Sequence, residues 1–235
     1  MATSGRVEGF LPSTSAFRFP NSFAHVPLRR IGVPGVLSVP IGDAANGLCG
    51  GMAFAARDLF EAGRPPPPET TPPTEGTPLY DHLVERLFAS FDLPFGPVRY
   101  LELMSPTLPD GETFWSRIGV APHGRAWRIA TREWPKVRSD IDQGHPSPLG
   151  LVRTISRDPF DLKENHQVLA YAYEASPETV TLRIYDPNLP GRDDVRLTFA
   201  PSPLASDRPL VQREPPGLPI HAFFRVPYRP AAPPI

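Results

Sequence analysis

The sequence predicts an α+β fold in which helices come first and an antiparallel sheet follows. Apolar residues recur with helical spacing before Gly144, whereas the later segments are rich in the β-branched and aromatic residues that are typical of strands. The chain has 235 residues, of which 40% are hydrophobic and 21% charged, so it can bury one substantial core. Neither an internal repeat nor a change in composition separates two cores, and we expect a single domain over 41–228.

Residues 1–40 are expected to form an irregular arm that lies over this core. Phe10, Phe17, Phe19 and Phe23 provide apolar surface, but the prolines between them are typical of turns and break any regular element.

Three helices and one short helical piece are predicted from the spacing of apolar residues. In the first helix, Met52 and Leu59 lie on one face, and Gly63 follows as a stop signal. In the last helix, Pro135 lies in the first turn and Gly144 lies just past the end. The predicted ranges are 49–62, 79–91, 112–118 and 133–143.

Strands are predicted where β-branched and aromatic residues form short runs bounded by turn residues. One of these runs precedes the last helix, and the others make up the expected antiparallel sheet. The predicted strands are 98–104, 148–155, 166–174, 179–186, 194–199 and 219–226.

Proline is far more frequent than in an average protein, with 34 residues in the chain. The proline-rich segment 64–78 cannot form a helix or a central strand, so it is expected to be an exposed, polyproline-like loop. Residues 229–235 are expected to form a loose tail.

Charge and hydropathy limit the classes of partner. A net charge of −1 gives no basic excess to neutralise phosphates, which argues against nucleic acid. The sequence contains no run of about 18 apolar residues, so no membrane span is predicted. The first residues lack the apolar segment of a secretory signal. With one cysteine no internal disulfide can form, so the cytoplasm is the expected location, and export without a signal peptide is the alternative.

Cys49 is the only cysteine, and it lies within the run Gly47-Leu48-Cys49-Gly50-Gly51. One thiol can form neither an internal disulfide nor a multi-thiolate metal site, which leaves a buried apolar role or a nucleophilic role. The predicted helix start favours the nucleophile, because unpaired N–H groups and the positive end of the helix dipole stabilise a thiolate. We expect no metal and no cofactor.

His166 and Asp186 are the candidates for a base and for a carboxylate that orients it. His166 opens one predicted strand and Asp186 closes the next, with a turn near Ser176 between them. In a hairpin centred on that turn the two residues lie opposite each other on one face of the sheet. The expected arrangement is a Cys–His–Asp triad, and a one-residue slip of register would break it.

The sequence around these positions resembles a known superfamily of enzymes. Three segments carry the resemblance, namely Gly47–Met52 at a helix start, Asn165–Ala170 opening a strand and Tyr185–Asn188 closing the next. They resemble the papain-like cysteine peptidases, and are nearer to the bacterial double-glycine-leader (C39-like) branch than to papain. The resemblance covers roughly 44–62 and 130–200, and implies a papain-like fold with Cys49 as nucleophile, His166 as base and Asp186 as orienting residue.

The same resemblance draws attention to the oxyanion hole. Papain-like enzymes usually carry a glutamine shortly before the nucleophile, and its side-chain amide donates to the oxyanion. Asp43 occupies that position here, and an ionised aspartate can only accept hydrogen bonds. Asn46 is the alternative donor.

The expected function is that of a thiol hydrolase, most simply a cysteine peptidase that cleaves an amide or isopeptide bond in a peptide or protein substrate. Deamidation and acyl transfer are alternatives that use the same triad. An alternative from another class is a catalytically impaired papain-like fold that binds a protein partner. In a variant of this alternative, residues 9–40 occlude the cleft as a built-in pro-segment, and its cleavage or displacement switches the enzyme on. The sequence gives no indication of the oligomeric state.

Overall fold

The chain is a mixed α+β structure with helices mainly in its first part and a curled antiparallel sheet mainly in its second, as the sequence predicts. Asp43 and Asn46, the candidate oxyanion donors, lie outside the described residues. The computed structural model describes residues 2–23, 31–33, 36–39, 47–204 and 210–234.

The helices confirm each of the four helical segments predicted from the sequence. The proline-rich segment joins the second helix to the third without regular structure up to Thr77, whose hydroxyl caps the third. The helices are α1 (Pro12–Ser15), α2 (Cys49–Glu61), α3 (Pro78–Ser90), α4 (Phe95–Met104), α5 (Phe114–Arg117), α6 (Arg125–Arg128) and α7 (Trp134–Asp142), with a π-helical turn (Ile129–Glu133) between α6 and α7 and a 3₁₀ helix at Pro159–Glu164.

Most of the strands follow α7, and the sequence does not predict the first three or the eighth. Two short strands, β2 and β3, pair with each other in a separate two-stranded sheet. The strands are β1 (Thr3–Arg6), β2 (Ile31–Val33), β3 (Val36–Val39), β4 (Ser147–Val152), β5 (His166–Ala175), β6 (Val180–Tyr185), β7 (Arg196–Phe199), β8 (Val211–Glu214) and β9 (Ala222–Arg225).

The main sheet has the order β8-β7-β6-β5-β4-β9, and β1 pairs with β5. One bridge joins Val211, at the start of β8, to Ile220, which comes just before β9. The two ends of the sheet order therefore approach each other, which is why the sheet curls.

The predicted strand over 98–104 is wrong, because this segment lies within α4. Tyr100, Leu103 and Met104 are buried, and their spacing is that of one helical face. A strand would instead have placed the charged Glu102 on the same face as Tyr100 and Met104.

The irregular arm that was expected over 1–40 contains regular elements, since β1 joins the main sheet and α1 follows it. Phe10 and Phe17 are fully buried. The ring of Phe10 contacts Phe60 of α2 and Tyr171 of β5. The first residues of the chain are thus part of the core.

Glycines at the start of α2 allow it to pack closely on its neighbours. A Cβ on Gly51 would lie 2.1 Å from the carbonyl oxygen of Leu83 in α3, far closer than real Cβ contacts. A Cβ on Gly50 would lie 2.2 Å from Ser90 Oγ and 2.9 Å from Gln167 Oε1. These two glycines therefore bring the start of α2 against α3 and β5.

The end of the chain is attached to α2 and α3. The Tyr228 hydroxyl donates to Asp58 Oδ1 at 2.6 Å, and the N–H of Ala231 donates to the same oxygen at 3.1 Å. Arg86 donates to the carbonyl of Arg229 at 2.7 Å. The segment expected to be a loose tail is therefore hydrogen bonded to the core as far as Ala231.

Candidate active site

Cys49 is the first residue of α2, and the residue keeps some exposed surface although its thiol lies in a buried environment. The first turn of this helix contains no acidic residue. Its leading N–H groups have no acceptor within the helix, so they and the helix dipole favour negative charge at this point. The helix start that the sequence predicts at Cys49 is confirmed.

His166 begins β5, and Asp186 directly follows β6. Both side chains are buried, and His166 Nε2 lies 2.8 Å from Asp186 Oδ1. This contact occupies Nε2 and leaves Nδ1 for the thiol of Cys49. The structure thus brings together all three residues that the sequence analysis assigned to a triad.

The register that joins His166 to Asp186 differs from the predicted one. Leu169 pairs with Tyr185, so a continued ladder places Asp186 opposite Val168, two residues away from His166. Because side chains alternate between faces, a displacement of two residues keeps both side chains on one face and within diagonal reach.

A β-bulge in β5 makes this placement possible. The pairing of β5 with β6 shifts by one residue between Ala170 and Ala172, so β5 carries an extra residue at Tyr171. If the register of Ala172 with Arg183 continued without a bulge, Asp186 would lie opposite Leu169, on the other face of the sheet from His166.

The thiol of Cys49 is hydrogen bonded to the ring of His166 and to the backbone N–H groups of Gln167 and Gly50. Burial on its own would raise the pKa of the Cys49 thiol. The charge and the hydrogen bond of His166, with the two N–H groups, outweigh burial and lower this pKa below its ordinary value.

The charges on His166 and Asp186 support each other. Burial acts to lower the pKa of His166, but the Cys49 thiolate and the Asp186 carboxylate raise it to about 9. Burial acts to raise the pKa of Asp186, but His166 and Arg213 lower it to about 2. The site therefore favours a thiolate–imidazolium pair beside an ionised carboxylate at neutral pH.

Arg213 of β8 is a part of the site that the sequence analysis missed. Its Nη2 donates to Asp186 Oδ2 at 2.6 Å, while Oδ1 of the same carboxylate contacts His166. A single arginine in a short strand carries no motif, and β8 itself was not predicted, so no signal in the sequence pointed to it.

Tyr100 of α4 is a second missed residue, and it fixes the main chain at His166. Its buried hydroxyl donates to the carbonyl oxygen of His166 at 3.3 Å. Burial and the nearby Cys49 thiolate raise the pKa of Tyr100 above its ordinary range, so the hydroxyl keeps its proton.

Asn21 connects the segment before Cys49 to the segment after Asp186. Its Oδ1 accepts the N–H of Leu48 at 2.6 Å, and its Nδ2 donates to Asn188 Oδ1 at 3.1 Å. Its own backbone N–H donates to the carbonyl of Pro187 at 3.0 Å. One side chain thereby fixes the spacing between the start of α2 and the residues that follow β6.

Two further observations limit what the described part of the chain can do. Within it, no group of three or more histidine, cysteine, aspartate or glutamate side chains is placed to hold a metal ion. None of the helices described has both the length and the apolar character that are needed to cross a membrane.

No protein family, curated protein or solved structure matches this chain. The chemistry that the site can perform follows from its geometry. It combines a thiol of lowered pKa, a ring that can donate and accept a proton, and a carboxylate that fixes the ring. Such a set can transfer an acyl group from an amide or ester to the thiol.

Proposed function

We propose that this chain is a thiol hydrolase of the papain-like type that cleaves an amide bond in a peptide or protein. The proposal rests on the continuous hydrogen-bonded series from Cys49 through His166 to Asp186. The order of the three residues along the chain, the helix start at the nucleophile and the α+β layout are consistent with the papain-like assignment.

In the first half of the reaction, the Cys49 thiolate attacks the carbonyl carbon and forms a tetrahedral oxyanion. The N–H of Cys49, as the first helical residue, has no acceptor within the helix and can donate to that oxygen. The His166 imidazolium then gives its proton to the leaving nitrogen as the carbon–nitrogen bond breaks. The products of this half are an amine and a thioester on Cys49.

In the second half, neutral His166 takes a proton from water as the water oxygen attacks the thioester. The carbon–sulfur bond breaks, the acid leaves, and Cys49 returns as a thiolate beside the imidazolium. Asp186 remains ionised throughout and stabilises the charged ring.

The pH dependence of Cys49 alkylation by iodoacetamide tests this proposal. The wild-type thiol should react at about pH 6, because its pKa is lowered by His166. In His166→Ala, burial is no longer opposed by the ring, so reaction should begin only near the ordinary cysteine value of about 8.5 or above. Mass spectrometry of the labelled protein follows the reaction at its only cysteine.

His145→Ala is the matched control. His145 is half exposed and lies away from the triad, where its Nδ1 is 3.0 Å from Glu61 Oε1. It should keep the wild-type profile. Identical profiles for wild type and His166→Ala, or labelling only after denaturation, would contradict the proposal and favour a protein-binding role. Cleavage of an unfolded protein by wild type but not by Cys49→Ser would distinguish a hydrolase from a merely reactive thiol.

A further inference from the structure

Arg153 lies at the same end of the sheet as the triad, directly after β4. Its backbone N–H donates to Asn165 Oδ1 at 3.0 Å, and Asn165 immediately precedes His166. The backbone of Arg153 is therefore fixed next to the strand end that carries the histidine.

The pairing of β4 with β5 indicates on which face Arg153 lies. Leu151 is directly opposite His166, so the two side chains share a face of the sheet. Because side chains alternate along a strand, Arg153 lies on the same face as Leu151. That face also carries His166 and Asp186.

The side chain of Arg153 has no partner of its own among the described residues. They provide no hydrogen bond and no ion pair to its guanidinium, and its Nε is buried without an acceptor. Arg213, by contrast, is held by the carboxylate of Asp186. A buried donor without an acceptor is costly in a folded protein, unless a ligand satisfies it.

Arg153 is close enough to the triad to interact with its charges. Burial lowers the pKa of Arg153, while the negative charges of Asp186, Cys49 and Glu164 oppose this and the positive charge of Arg213 adds to it. Cys49 is paired with His166, Asp186 is paired with both His166 and Arg213, and Glu164 is an exposed residue. The buried Nε of Arg153 is therefore a donor that a substrate anion can satisfy.

We propose that Arg153 forms an anion-binding subsite that brings a carboxylate of the substrate next to the Cys49 nucleophile. This inference rests on the proposed function and specifies the class of substrate. The carboxylate is an acidic side chain beside the scissile bond or the carboxyl terminus of a short peptide. An arginine suits either source, because its planar fork of donors matches a carboxylate.

Two reagents that differ mainly in charge test the subsite directly. Iodoacetate carries a carboxylate and iodoacetamide does not, and in both reactions the sulfur–carbon bond forms as iodide leaves. The second-order rate constant for iodoacetate at Cys49, divided by that for iodoacetamide, should fall about tenfold in Arg153→Gln, because one charge–charge contact is lost. Arg153→Lys should retain most of the wild-type ratio.

The ratio should be measured at about pH 9.5, where an ordinary thiol is also largely ionised. An effect on the fraction of thiolate changes both rate constants and cancels in the ratio. The test therefore works even if Cys49 is unreactive near pH 6 and the proposed hydrolase function fails.

Arg157→Gln is the matched control, because Arg157 is exposed and follows β4 by only a few residues. It removes the same charge from the same segment, and should leave the ratio unchanged. An unchanged ratio in Arg153→Gln would overturn the proposal. An equal fall in Arg157→Gln would also overturn it, because the effect would then be that of net charge.

Protection of Cys49 from iodoacetamide distinguishes the two sources of carboxylate. N-acetyl-aspartate amide carries only a side-chain carboxylate, and N-acetyl-alanine carries only a terminal one. Protection by one of them, lost in Arg153→Gln, would assign the subsite to that source. Protection by neither would overturn the proposal for peptide carboxylates.

Discussion

Asp186 contacts two cations at once, His166 through one oxygen and Arg213 through the other. The N–H of Asn188 also donates to this carboxylate at 2.9 Å. These contacts keep Asp186 ionised, and the ionised form in turn contributes to the raised pKa of His166. Arg213 thus acts on the proposed base through Asp186, and is a positioning residue.

Replacing Asp186 by asparagine should narrow the pH range in which the imidazolium persists. The variant keeps a hydrogen-bonding group of similar size but loses the negative charge. The pKa of His166, now raised to about 9, should therefore fall by about 1 to 3 pH units. An NMR titration of the His166 ring protons measures this change.

Asp194→Asn is the control for this titration, since Asp194 is largely exposed and pairs with Arg192 at 2.5 Å. It should leave the titration of His166 unchanged. If Asp186→Asn also leaves the His166 pKa at its wild-type value, Asp186 does not support the charged ring.

The three triad residues could be found from the sequence because each has informative neighbours. Cys49 is flanked by glycines at a helix start, and His166 and Asp186 bound a recognisable hairpin. Arg153 and Arg213 have no such neighbours, and each enters the site only because a strand ends or pairs there. Isolated charged residues in strands resemble surface residues until the faces of the sheet are known.

At the scale of elements, the start of α2 is where packing and the proposed chemistry meet. Gly51 lies against a backbone oxygen of α3, which cannot move without the helix, whereas Gly50 lies mainly against the hydroxyl of Ser90. The two glycines should therefore respond differently to an added methyl group.

Gly51→Ala should lower the free energy of unfolding by about 1–3 kcal/mol, because α2 and α3 must separate to admit the Cβ. Gly50→Ala should also destabilise the protein, but removal of the Ser90 hydroxyl in Gly50→Ala/Ser90→Ala should restore part of the loss. Urea unfolding measures both effects.

Gly51→Ala/Leu83→Ala provides the comparison. It shortens the side chain of Leu83 but leaves the obstructing backbone oxygen in place, so it should restore none of the free energy of unfolding that is lost through the added methyl group of Gly51→Ala. Equal recovery in both double variants would show that the crowding at Gly51 is not with the backbone of α3.

The sequence predicts elements where one periodicity is clear, and fails where two compete. Residues 98–104 contain β-branched and aromatic residues, yet Tyr100, Leu103 and Met104 bury one helical face. The bulge at Tyr171 has no sequence signal, and it changes the register on which the predicted pair depends. His166 and Asp186 meet because the difference from the predicted register is an even number of residues.

At the scale of the whole molecule, contacts between distant parts of the chain complete the fold. β1 pairs with the end of β5, and the bridge from Val211 to Ile220 curls the sheet. Phe10 and Phe17 fill the core from the other end of the chain. Single-sequence patterns report local periodicity, so they predict the α+β class but not these long-range pairings.

Tyr228 makes the stability of the whole molecule depend on pH in the alkaline range. Burial and its hydrogen bond to Asp58 at 2.6 Å raise the pKa of Tyr228 above its ordinary value of about 10. The unfolded chain releases this proton first, so the stabilisation is complete below about pH 10 and is lost as the pH rises further.

At about pH 8, Tyr228→Phe should lower the free energy of unfolding by about 1–3 kcal/mol, because Asp58 loses a donor. At about pH 11 this difference should shrink by about 1.4 kcal/mol, and urea unfolding at both pH values measures it. Ser147→Ala removes a hydroxyl that donates to Asp140 at 2.7 Å and does not titrate, so its effect should be the same at both pH values. A pH-independent effect of Tyr228→Phe would exclude the proposed linkage.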